Sequence, residues 1–183
     1  MNLVRTLDAQ SEALSISDVK THLRITGTDD DEAIRLFIAA IRRKAETYLG
    51  KSLITSTWQL KLDCFSDEIE LPMQPVQSVS SVSYVDTDGA TQAFANIQFD
   101  RGGRLKPSYS NVWPSTRKQY DAVTITYITG ETHAGNVQQD IKLAMLLWIG
   151  ACDLNREDIA FTQISEIPNS AKDLLAPYRV QRL

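Results

Sequence analysis

The sequence is poor in the residues that most often carry chemistry. Its 183 residues include two cysteines and two histidines. Cys64 and Cys152 lie far apart, with no partner at zinc-ligand or redox spacing, so a disulfide framework and a zinc site are both disfavoured. They read as small core residues in a reducing compartment. No window approaches the roughly 18 apolar residues of a membrane span. The opening MNLVRTLDAQSEALSI also lacks the apolar stretch of a signal peptide. A soluble protein made in a cytoplasm is expected. An excess of positive charge is missing too: 19 Lys and Arg stand against 23 Asp and Glu, a net charge of -4. That argues against a protein that coats nucleic acid with a basic face, while leaving local DNA contact open.

What is present is an ordinary complement of core residues, 43% hydrophobic, in a length equivalent to roughly 1.2 average domains. Ser17–Ile25 reads as a short helix capped by a serine, with Val19 and Leu23 at helical spacing and a stop at Gly27. Thr28, Asp29, Asp30, Asp31 and Glu32 then supply capping oxygens and negative charge to the start of a second helix. Along it Ile34, Phe37, Ile38, Ile41, Ala45, Tyr48 and Leu49 form one apolar stripe, and Gly50 closes it.

After Gly50 the hydrophobic period falls from 3.6 to 2. Thr57–Leu62, Val76–Val85 and Val123–Ile128 read as strands, with shorter ones at Thr91–Phe94, Ile97–Phe99 and Arg104–Lys106. Asp86–Gly89 and Asp100–Gly103 are turns between them. The helical period returns at Val137, where Ile141, Ala144, Met145, Trp148, Ile149 and Cys152 share a stripe. Leu143, Leu146 and Leu147 make the opposite face apolar as well, marking a core helix or an interface. Pro168 opens a last short helix, Ala171–Ala176, and Pro177 ends it. The fold class is therefore α+β: a small helical bundle formed by residues 1–53 and 130–183, interrupted by an antiparallel β unit at 54–129.

Candidate chemistry is sparse. A nucleophilic site would have to use His22 or His133, and His133, in the polar loop Gly130–Gly135, is the better placed. The acids at 29–32 read as helix capping because consecutive residues do not converge on a metal. Asp86–Gly89 lacks the glycine and glutamate positions of a calcium loop. Gly102-Gly103 precedes no helix that could cradle phosphate. No catalytic residue, metal ligand or cofactor site is assigned. Arg42, Arg43 and Lys44 with Lys51 form the one basic cluster recognised, a solvated helix face or a surface for DNA or an acidic partner. Tyr178, Arg179, Val180, Gln181, Arg182 and Leu183 form a tail of interface-prone composition.

Several stretches together resemble a known family: LSISDVKTHLRI at 14–25, Asp29–Thr55, Thr57–Leu62, Leu71–Tyr84, Trp113-Pro114, Val123–Gly130, Ile141–Trp148 and Leu174–Val180. The chain resembles the head-tail connector (adaptor) proteins of long-tailed bacteriophages, prophages and gene transfer agents. Ala160–Ile167 has no counterpart in that pattern. The resemblance implies a non-enzymatic virion protein at the neck, assembled in the host bacterial cytoplasm. It implies a ring of about twelve copies beneath the portal protein, meeting a head-completion (stopper) or tail component and touching passing phage DNA. Carried onto this chain, it makes Tyr178–Leu183 the portal-docking tail and Leu143, Leu146 and Leu147 candidates for core or subunit contacts. A rival reading is a carbohydrate- or protein-binding β module using Trp58, Tyr109 and Trp113. A small hydrolase using His133 is a further one.

Overall fold

Thr57–Leu62 and Val123–Ile128 alternate because they lie side by side over one core. In the computed structural model, which describes residues 1–154 and 167–180, they are β2 (Ser56–Leu62) and β8 (Val123–Thr129). The two strands pair antiparallel, with Trp58 opposite Tyr127 and Leu60 opposite Ile125. All four side chains are buried, whereas Gln59, Lys61, Thr124 and Thr126 alternate with them on a more open face. The Tyr127 hydroxyl, inside this core, donates to the Pro72 carbonyl at 3.1 Å.

β4 (Val76–Val85) pairs with the other edge of β8. Its valines recur every third residue, a spacing that should send them to alternate faces. Two bulges, between Val76 and Ser78 and between Val79 and Ser81, each absorb one residue. Val76, Val79 and Val82 consequently sit opposite Thr129, Tyr127 and Ile125, which are the inward residues of β8. β5 (Thr91–Ala93) completes that edge of the sheet. A second sheet joins β3 (Ile69–Glu70), β7 (Arg104–Pro107) and β6 (Ile97–Phe99) in that order, and contributes Ile69 and Leu105 to the same core.

One difference from expectation concerns residues 1–10, expected in the helical part. They carry β1 (Asn2–Leu7), paired antiparallel with β2, which gives the larger sheet the order β1-β2-β8-β4-β5. Residues 1–10 thus fall with 55–131 in one compact unit, while 11–54 and 132–183 make up the other. With polar residues scattered along it and only Leu3 and Arg5 half-buried, β1 has no periodicity strong enough to announce a strand.

In the helical unit, α1 (Ile16–Leu23) starts earlier than its spacing indicated. Ser15, not Ser17, is its N-cap. The Asp18 backbone N–H donates to the Ser15 hydroxyl oxygen, and the Ser15 backbone N–H donates back to the Asp18 carboxylate. Arg24 ends the helix in the left-handed region at φ 59°, before Gly27 is reached. α2 (Asp31–Leu49) buries Ile34, Ile38, Ile41, Ala45 and Leu49, the centre of the anticipated stripe, and stops at Gly50 with φ 67°. Asp30 occupies its N-cap position without a side-chain capping bond. α3 (Gln139–Leu154) buries Ile141, Ala144, Met145, Trp148, Ile149 and Cys152. α4 (Asn169–Leu175) buries Ala171 and Leu175 and runs into a 3₁₀ turn at Ala176–Tyr178. Of Ala160–Ile167, all but Ile167 lie outside the described residues.

Candidate interaction surfaces

The basic cluster on α2 is not one surface. Arg42 is 1% exposed. Its Nε donates to Glu12 Oε2 at 2.7 Å, and its Nη1 donates to the buried Glu46 Oε2 at 3.2 Å. The other Glu46 oxygen accepts the Leu53 backbone N–H at 2.9 Å. The four groups pin the segment before α1 and the segment after α2 onto the middle of α2. The expectation that Arg42 faces DNA or a partner is therefore corrected. A guanidinium can be buried here because two carboxylates surround it, and helical periodicity does not distinguish a buried paired arginine from an exposed one. Arg43 is exposed, while Lys44 and Lys51 are half-buried, with Lys44 Nζ 6.0 Å from the Trp148 ring centroid.

The C-terminal segment, as far as it is described, is fastened to its own unit. The Tyr178 hydroxyl donates to Asp140 Oδ2 at 2.7 Å, an acceptor that pushes the phenol pKa up. The Arg179 guanidinium lies 5.2 Å from the Tyr48 ring centroid. The Val180 N–H donates to the Leu49 carbonyl at 2.8 Å, and the Val180 side chain rests against Gly50, where an added Cβ would lie 3.6 Å from the Val180 Cβ. These three residues thus clasp the C-terminal end of α2 and the start of α3. Gln181, Arg182 and Leu183 lie outside the described residues. On α3, Leu143 is 44% exposed and Leu146 and Leu147 are half-buried, so all three fall outside the buried stripe.

No aromatic platform of Trp58, Tyr109 and Trp113 forms. Trp58 is buried, with the Arg5 guanidinium 4.6 Å from its ring centroid. Trp113 stacks on Phe65 at 4.4 Å, 4° from parallel, and meets Phe94 at 5.2 Å. Only Tyr109 is exposed. His133 is exposed, and its ring makes no hydrogen bond among the described residues. Among those residues no three His, Cys, Asp or Glu side chains are grouped to hold a metal ion, and no helix is long and apolar enough to cross a membrane. A depression of about 620 Å³ is lined by Ile16, Lys20, Arg24 and Asp31, but its Lys20 and Asp31 are paired with each other.

The feature that sequence reasoning missed is the connection from β7 to β8. Residues 101–120, which run from the turn before β7 into this connection, hold five Lys or Arg and no Asp or Glu, of which Arg117 and Lys118 lie in the connection itself. A count of cations per window would have found it; its cations are spread out and escape a search for adjacent basic residues. Trp113 anchors the middle of this loop in the aromatic cluster. The Ser108 N–H bonded to the Asn96 carbonyl (2.9 Å) and the Arg117 N–H bonded to the Val85 carbonyl (3.0 Å) fix its two arms. Tyr109, Val112 and Tyr120 project outward, 94%, 81% and 89% exposed.

Among the described residues, charged and aromatic groups are held on fixed surfaces and no catalytic set converges. The chain's class is that of a two-unit α+β protein. Residues 13–92, from the residues just before α1 into β5, match the model of the phage gp6-like head-tail connector protein family. Over that stretch the chain is similar to phage head-tail connector proteins. Its fold is similar to that of a chain in the neck of an empty gene transfer agent particle computed with C6 symmetry. That likeness has a TM-score of 0.80 at 22% identity and covers 100% of this chain and 97% of the other. The fold is also similar to a chain in the neck of the native particle computed with C12 symmetry, with a TM-score of 0.76, 22% identity and the same coverage. No match is found among curated proteins.

Proposed function

We propose that this protein is a head-tail connector, a structural, non-catalytic subunit of the virion neck that joins the portal of a DNA-filled capsid to the tail, as one copy in a ring of about twelve. The observation that carries this reading is the connector-family match over 13–92 on a fold shared along its whole length with a neck protein. The C12 symmetry of one such neck supports the ring number. Repetition on a preformed portal ring converts modest single contacts into a stable joint through effective concentration. Its other contacts are a stopper or tail component and, transiently, the passing DNA. A net charge of -4 suits a channel through which DNA must slide, because each phosphate neutralised by a cation would hold the duplex back.

Portal docking belongs to the C-terminal segment in this reading, with Gln181–Leu183 as the part that reaches the portal. Tyr178, Arg179 and Val180 serve as its foundation, since they are committed to α2 and α3. Leu143, Leu146 and Leu147 on α3, together with Arg43, Lys44 and Lys51, are further contact candidates. The test is native mass spectrometry or cryo-microscopy of the chain mixed with the portal of its own phage. Binding at the portal's own subunit count is expected, with loss of docking in a chain truncated after Val180. Absence of association by the full chain refutes the function, and unchanged docking by the truncated chain moves the interface elsewhere.

A further inference from the structure

The end of α2 is left incomplete by its own sequence and is finished by the C-terminal segment. The last carbonyls of a helix have no partner further along it, and the last turn of α2 carries no basic residue to face the negative end of the helix dipole. The chain turns away at once, through Gly50 at φ 67°. Val180 supplies a donor, its N–H reaching the Leu49 carbonyl at 2.8 Å. Arg179 supplies the cation, set 5.2 Å from the Tyr48 ring centroid. The Val180 side chain lies against Gly50, and two residues earlier the Tyr178 hydroxyl donates to Asp140 Oδ2 at 2.7 Å.

These contacts fix a register as well as a place. Three successive residues each meet a different group: a carboxylate on α3, a ring on the last turn of α2, and the carbonyl beside that ring. Sliding the segment by one residue would lose the hydroxyl–carboxylate bond and the guanidinium–ring contact together. Fastening a chain end for stability alone needs only apolar burial, yet Tyr178 and Val180 are half-buried and Arg179 is exposed, so the segment adds little to the core. What it gains is direction. Each residue of a docking segment that has to be ordered on binding costs on the order of tenfold in affinity, so fixing three of them beforehand favours the contact made by the residues that follow.

We propose that Tyr48, the Leu49 carbonyl and Asp140 are positioning groups for docking: they hold Tyr178–Val180 in one register, so that Gln181–Leu183 is presented to the portal while the clasp stays closed. This rests on the tail reading above and names the surface of this chain that aims the tail. The test measures binding of the full chain to the immobilised portal of its own phage, at a temperature where circular dichroism shows every variant folded. Tyr48→Ala/Asp140→Ala removes the ring and the acceptor and is expected to weaken docking at least tenfold. Tyr48→Phe/Asp140→Asn keeps a ring beside Arg179 and an oxygen for Tyr178, and is expected to dock within threefold of the wild type. A role confined to stability would lower the melting temperature of the alanine pair and leave its docking unchanged, which overturns the proposal. Gly50→Cys/Val180→Cys in a Cys64→Ser background tests the closed clasp directly, since an added Cβ at Gly50 lies 3.6 Å from the Val180 Cβ, a separation a disulfide can span. Its oxidised and reduced forms are expected to dock equally. Loss of docking on oxidation would mean that the tail has to leave the clasp, and it too overturns the proposal. A chain truncated after Val180 that docks normally defeats the tail reading itself, whereas loss on truncation with no effect of the alanine pair defeats the positioning role alone.

Discussion

Replacing Arg42 with methionine keeps most of its volume and removes its charge, leaving Glu46 in the interior and Glu12 at the margin without their shared cation. Removing one partner of a buried ion pair costs about 3 to 5 kcal/mol, because the other charge stays desolvated and uncompensated. Glu46 is fully buried, which places Arg42→Met in that range. For a chain of this length, that corresponds to a melting temperature lower by roughly 10 °C. Glu12 is the internal control. Its side chain is 30% exposed and can turn to water, so Glu12→Gln should cost only about 1 kcal/mol. Arg42→Met/Glu46→Leu removes both buried charges and strands the Leu53 N–H, for which the cost is about 1 to 3 kcal/mol, less than that of the single change. Urea unfolding followed by far-ultraviolet circular dichroism measures all three. An Arg42→Met chain within about 1 kcal/mol of the wild type would refute a buried, paired Arg42, since only a solvated arginine is dispensable at that level.

Asp18 accepts from the Ser15 N–H and hydroxyl, and these bonds hold its pKa below the ordinary carboxylate value. A depressed folded pKa stabilises above the unfolded value, and that contribution is lost as pH falls through the folded one. Asp18→Asn should therefore cost about 0.5 kcal/mol at neutral pH and almost nothing near pH 2, a convergence visible in melting curves recorded against pH. Tyr178→Phe should lower the melting temperature slightly through loss of the exposed bond to Asp140, which calorimetry reads. Cys64 is exposed, whereas burial raises the Cys152 thiol pKa, so a thiol reagent should label one cysteine in the native chain and two in urea.

Local rules reached far along this chain. The stripe on α2, the alternation of β2 and β8, the turns at Asp86 and Asp100 and the apolar face of α3 follow from side-chain period and turn chemistry, and the structure places each within a few residues of its expected position. β1 and β3 were not legible because their reason for being strands lies in the partner: Leu3 gains a neighbour only when β2 lies beside it, and Ile69 only when Leu105 does. The every-third-residue valines of β4 carry a signal that two bulges reconcile, and a bulge depends on the facing strand. Much the same holds for the surfaces. Sequence alone determined which residue types are available: little histidine or cysteine, no excess of cations, a tail with tyrosine and arginine. Tertiary structure decided which of them are buried and which face solvent. It drew Arg42 inward between two carboxylates, fastened Tyr178 to Asp140, and left Tyr109, Val112 and Tyr120 of the β7–β8 loop exposed. Whether a charge is hidden or offered is set by neighbours distant in sequence, which burial brings together because an unpaired ion in the interior costs more than any local preference can supply.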